Sequence, residues 1–379
     1  MAQSMVYVPY FGSSLVKLAK SCILGFTVLS VASCDRPLSQ PKAQTVMPVV
    51  QSFQVSLEKS SPMNQPLLFD AASDFENGMA VVRLGDRLGY IDPTGSLVIN
   101  VVDANVTLVS PFAEERAIAQ VGNYFGYIDR SGDWAIEVQF RQAKPFSEGL
   151  AAVQGGTKYG YINPQGEWSI EPQFDLAESF AEGLAVVKLQ SQYGYVDPTG
   201  KLVIMPQLRD AWSFSESLAV AKTGEKYGYL NPAGEMAIEP QFDGAFSFSE
   251  GLGRVRQGDK WGYIHPTGET AIAFEFDFAS DFSEGHAVVL VDGKWGYINP
   301  VGELVISPQF DYAADFSEDR AAIQQAGRYG YIDKTGEIVI EPSFGSAGKF
   351  STGLARVQAG DRWGYIDPDG RLITGASGR

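Results

Sequence analysis

Short bursts of alternating apolar and polar residues recur along this chain from Phe75 onward. Each burst centres on a large apolar residue followed by Gly and Tyr, with the glycines at Gly89, Gly126, Gly160, Gly194, Gly228, Gly262, Gly296, Gly330 and Gly364. The first spacing is 37 residues and the other seven are 34. The fifth copy shows what the pattern predicts. Leu218 to Lys222 and Tyr227 to Asn231 alternate as strands across a turn at Thr223-Gly224-Glu225, and a third strand runs from Glu235 to Glu239. Between the second and third strands lies Asn231-Pro232-Ala233-Gly234, repeated as Asp92-Pro-Thr-Gly95, Asp197-Pro-Thr-Gly200 and Asp367-Pro-Asp-Gly370. Asp or Asn there bonds the backbone two residues on, Pro presets φ, and Gly takes the left-handed conformation, so the tetrapeptide closes a hairpin.

Beyond the third strand, Pro172, Pro206, Pro240, Pro308 and Pro342 are expected to stop the ladder by removing a donor. A Phe-Asp-x-Ala-x-x-Phe stretch follows, such as Phe174, Ala177 and Phe180, whose spacing of three suggests one helical turn. A unit this small cannot bury its own apolar face, so neighbours must stack. Helical pairs share the 34-residue period, but several Gly and usually a Pro per copy would break them. The expected fold is all-β: nine units of three short antiparallel strands plus a helical turn, in an open or superhelical stack. First and last copies diverge and read as caps. A closed propeller-like ring is the alternative, disfavoured because nine is many for a ring and blades usually need four strands.

The N-terminal region departs from the repeat. Lys17 and Lys20 precede an apolar run from Cys22 to Leu29, and Val31-Ala32-Ser33-Cys34 follows. A basic flank, a short apolar core and small residues describe a secretory leader too short to span a bilayer. Its ending resembles the bacterial lipobox, which implies cleavage before Cys34 and lipidation of that residue. Residues 1–33 are therefore expected to be a lipoprotein signal peptide, starting at Met1 or Met5. Residues 34–66, with Pro37, Pro41, Pro48, Pro62 and Pro66, read as a flexible tether, and 67–376 as the repeat domain. Cys34 would be the only thiol after cleavage, so no internal disulfide is expected.

Apolar residues make up 45% of the chain and charged ones 20%, ordinary for a folded protein. A net charge of −16 without clustered Lys or Arg argues against nucleic acid as a partner.

The Trp-Gly-Tyr-Ile cores at Trp261, Trp295 and Trp363 resemble the bacterial WG-repeat family, as do the Phe-Ser-Glu-Gly-Leu-Ala and Glu-Pro-Gln-Phe-Asp elements. The resemblance covers roughly residues 69 to 374. It implies a β-rich, often exported array of variable copy number, with no catalytic pattern to carry over.

Candidate chemistry is sparse. The aromatics before Gly-Tyr invite a sugar-stacking ladder, but packing on the next unit is the preferred reading. Glu148, Glu182, Glu216, Glu250, Glu284 and Glu318, with turn residues Asp197 and Asp333, offer oxygens for a cation, but they are spread singly where Ca²⁺ wants six or more in one loop. His265 and His286 are the only histidines, and both are substitutions within the repeat. Neither a nucleophile elbow nor a phosphate loop is present. No catalytic residue, metal or cofactor is expected. The function that follows is a lipid-anchored surface in the cell envelope, binding or scaffolding a protein or envelope polymer. Carbohydrate binding by exposed aromatics is the alternative, and hydrolysis a more distant one.

Overall fold

A computed structural model describes residues 66–101, 103 and 105–374. The expected leader, Cys34 and nearly all of the tether lie outside these residues.

The described residues form nine small antiparallel sheets closed in a ring, a nine-blade β-propeller. Blade seven shows the unit. Phe278–Ala279 pairs with Ala287–Val291, which pairs with Lys294–Ile298, which pairs with Leu304–Phe310. Successive blades span 71–100, 106–140, 143–174, 176–208, 210–242, 244–276, 278–310 and 312–344, and the ninth starts at 347.

Two local expectations are corrected. No helix occurs among the described residues; the Phe-Asp-x-Ala stretch is a two-residue strand in most blades. A two-residue strand carries no alternation to read, while its flanking phenylalanines mimic helical spacing. The unit therefore has four strands rather than three. The prolines do not end the last strand either: Pro308 lies within Leu304–Phe310, where the register against the neighbouring strand shifts. An irregular position of this kind tolerates a missing donor. The glycine of Gly-Tyr serves the same irregularity. A Cβ on Gly262 would lie 2.7 Å from the carbonyl oxygen of Ile272 and 2.9 Å from that of Ala273.

The cores lie between blades, as a stack of undersized units requires. Tyr161 and Ile170 of blade three share one cluster with Phe174, Phe180 and Val187. Gly268, at φ 86°, closes a turn of blade six, and a Cβ there would come 3.2 Å from the Ile238 side chain of blade five.

Closure overturns both the open stack and the caps. Phe69 pairs with Trp363 as Phe310 pairs with Trp295, and Ile366 pairs with Leu372 as Ile298 pairs with Leu304. Leu67 N–H donates to the Ile373 carbonyl at 3.0 Å where the two segments meet. Both ends of the domain thus build the fourth strand of blade nine. The terminal copies diverge because they complete one another.

Candidate functional site

Nine copies of one unit in one molecule allow an internal comparison: positions that hold the ring together repeat, and positions freed from that duty diverge. The tyrosine of Gly-Tyr repeats in all nine. Each is fully buried and donates its hydroxyl to a backbone carbonyl of the next blade, Tyr161 to Glu178 and Tyr229 to Phe246, both at 2.8 Å. The ninth bond crosses the seam from Tyr365 to Ser73 at 2.7 Å. Burial pushes these phenols well above their ordinary pKa.

The glutamates that stand singly along the repeats are interblade staples. Glu148 Oε2 accepts from Gly183 N–H at 2.9 Å, and Glu284 accepts from the N–H groups of Glu318 and Asp319 at 2.7 and 3.0 Å. Glu182, Glu216, Glu250 and Glu318 do the same to their own successors. The preceding serine adds a bond, as Ser283 Oγ donates to Phe316 C=O at 2.9 Å. On the opposite face, Lys260 pairs with Asp277 of the next blade at 2.6 Å. Turn residues Asp197 and Asp333 accept from the hydroxyl and N–H of Thr199 and Thr335, with the hydroxyl bonds holding their carboxyls below the usual range. His265 closes a turn, and His286 Nδ1 lies 3.0 Å from Glu284 O with its ring against Phe316. The two histidines are not brought to a common site.

Divergence concentrates in the two positions that follow the inner alanine of each blade, a place taken by Val109 in the second. The first of them reads Ser73, Ser110, Lys144, Glu178, Trp212, Phe246, Ser280, Ala314 and Gly348 around the ring. Side chains a full repeat apart touch here: Lys144 pairs with Glu178, and the rings of Trp212 and Phe246 meet edge to face at 5.0 Å. Blades splay apart outward, so equivalent residues meet this way near the axis. The fourth strand, by contrast, alternates with solvent-exposed positions and forms the rim. The first strands therefore line the axial channel that a propeller encloses.

The channel wall is asymmetric. From blade five to eight, a half-buried arc runs outward from Trp212, Phe246, Phe278 and Tyr312 on or beside the first strands to Trp261, Trp295 and Tyr329 on the third, with neighbouring centroids 5.0 to 6.3 Å apart. Ring planes cross at 55° to 88° along the arc, so the rings meet edge to face or tilted rather than stacked. Arg254, buried where most blades carry Val, Ala or Ile, lies 3.6 Å over Phe246. Arg254 pairs with Asp281, with Asp315 at longer range, and across the seam Asp74 meets Arg356. Trp261, Trp295 and Trp363 are thus half-buried packing residues, and Trp295 meets Tyr312 of the next blade as the packing reading expects.

A family model described as WG containing repeat matches residues 66–87, 125–156, 159–191, 193–227, 227–261, 261–295, 295–329 and 329–363. The chain belongs to this family. No curated protein matches it. Among solved structures it is similar to a eukaryotic initiation factor, at 9% identity and TM-score 0.56, covering 77% of this chain and 89% of that one. It is also similar to Hsv2 of Kluyveromyces lactis, at 10% identity and TM-score 0.37, covering 66% and 92%. A surface component of the type-IX secretion system of Porphyromonas gingivalis matches at 11% identity and TM-score 0.29 over 82% of this chain, which spans only 54% of that protein.

Sequence reasoning passed over the axial residues because it weighed what repeats. Their signal was variation: Lys144, Glu178, Trp212 and Phe246 fall at one position of a pattern that is nearly constant elsewhere.

Proposed function

We propose that this WG-repeat propeller is an exported, lipid-anchored binding protein of the bacterial envelope, and that its axial channel holds a group presented by a protein or envelope polymer. The observation that supports the reading is the loss of repetition at the channel wall. Where one residue type would serve stacking, the chain places ions, rings and small residues in a fixed order. The leader and Cys34 support export and anchoring, and no catalytic role is assigned. A pull-down from envelope extract with the full chain tests the site. A Trp212→Ala, Phe246→Ala double variant is expected to lose the captured partner, and unchanged capture would exclude the channel. Cys34→Ser is expected to release the protein from the membrane fraction.

Carbohydrate binding stays a second reading because the rings of Trp261, Trp295 and Trp363 remain partly exposed. Saturable change in tryptophan fluorescence on titration with envelope oligosaccharides would favour it.

A further inference from the structure

Three blades carry an aspartate at the second axial position: Asp74, Asp281 and Asp315. Two of them meet an arginine from the second strand of the preceding blade. Arg254 Nε donates to Asp281 at 2.9 Å and Nη1 to the Ala279 carbonyl at 2.6 Å, with the guanidinium 5.1 Å from the Trp261 ring. Arg356 repeats the arrangement. Its Nε lies 3.2 Å from Asp74, its Nη1 donates to Ala72 C=O at 2.8 Å, and its guanidinium lies 4.5 Å from the Trp363 ring.

The register fixes what stands at the third aspartate. Arg254 is opposite Tyr263, Arg356 opposite Tyr365, and Val288 opposite Tyr297. Asp315 therefore has the same surroundings, with Ala313 and Trp295 in the places of Ala279 and Trp261, but Val288 where an arginine stands twice elsewhere. Ser280 stands near the Asp315 carboxylate, its hydroxyl donating to the Asp281 carbonyl at 3.0 Å, and Arg254, already held by Asp281, acts on Asp315 only at longer range. Asp315 is open to solvent, yet the surrounding protein desolvates it enough to raise its carboxyl above the ordinary range. Both properties fit a group facing a narrow water-filled channel.

We propose that Asp315 is the docking point for a guanidinium group carried by the ligand of the axial channel. The proposal rests on the axial reading above and names the chemistry it selects. A guanidinium fits better than an ammonium because the two internal copies use its fork: two N–H bonds in different directions while the plane lies near a ring. A compact ammonium satisfies fewer of these at once. A metal ion fits less well, since no group of three or more ligating side chains is formed among the described residues.

The test titrates the full chain in detergent with N-acetyl-arginine amide, and with N-acetyl-lysine amide as the ammonium counterpart, by calorimetry. Saturable binding of the arginine amide is expected, weaker for the lysine amide. Asp315→Asn should weaken it roughly tenfold or more, the loss of a charge-assisted bond. Val288→Arg supplies the guanidinium from within, as at Arg254 and Arg356, and should block binding while the ring stays folded by circular dichroism. Absence of saturable arginine binding, or binding undiminished in Asp315→Asn, overturns the proposal. If capture from extract depends on Trp212 and ignores Asp315, this inference falls and the axial reading stands.

Discussion

Tyr229 shows what a single side chain contributes to the ring. Its hydroxyl satisfies the Phe246 carbonyl inside an interblade core, so Tyr229→Phe removes the bond and leaves a buried acceptor unpaired. The expected cost is about 1–2 kcal/mol, read as a lower urea midpoint at unchanged slope. The carboxylates predict how stability follows pH. Lys158, Lys226, Lys260 and Lys294 hold Asp175, Asp243, Asp277 and Asp311 below their unfolded pKa, with backbone N–H bonds adding to the effect. Depressed acids contribute stability above the unfolded pKa and lose it as pH falls through the folded one. Thermal melts should therefore drop between about pH 5 and pH 2, modestly for each exposed pair. Asp315 has the opposite sign. Its raised pKa makes the charged form costly, so Asp315→Asn should raise Tm at neutral pH, and the gain should vanish once the acid protonates in both states. A variant that is more stable and binds less marks a residue kept for function.

Elements were legible in proportion to how much alternation they carry. The strands Lys294–Ile298 and Ala287–Val291 and the Asp-Pro-x-Gly turns follow directly from period two and from turn chemistry. The innermost strand was not legible, since Phe278–Ala279 is too short for any period and its place is set by pairing with Leu290 and Val289. Nor was the path through Pro308, because only the irregular register shows that the strand continues there. Blade nine gives the sharpest test at this scale. A chain lacking residues up to Phe69 loses half of that outer strand. It should show faster hydrogen exchange across 354–366 and a Tm lower by several degrees, while Tyr195 and its neighbours keep their protection.

At the scale of the molecule, the period declared an array, yet the closed ring stood only as the disfavoured alternative to an open stack. The signal was present: Leu67-Leu68-Phe69-Asp70 matches Pro308-Gln309-Phe310-Asp311, and the last copy stops at Leu372 to Thr374 without such a tail. A leading fragment that supplies what the trailing copy lacks specifies closure, and the number of copies then follows from geometry rather than limiting it. Residues 159–261, three family copies cut from the ring, expose two interblade faces. They should stay unfolded or associate, seen as absent β signal by circular dichroism or as high mass in size-exclusion chromatography.

The seam also decides how this domain answers a pull. Whatever tension reaches residue 66 is delivered first to Leu67 and Phe69, whose few backbone bonds to Ile373 and Trp363 would give way in succession, like a zip, rather than together. A pull applied at residue 66 would thus open the disc at one chosen joint, freeing the edge of its last blade while eight others still hold their shape.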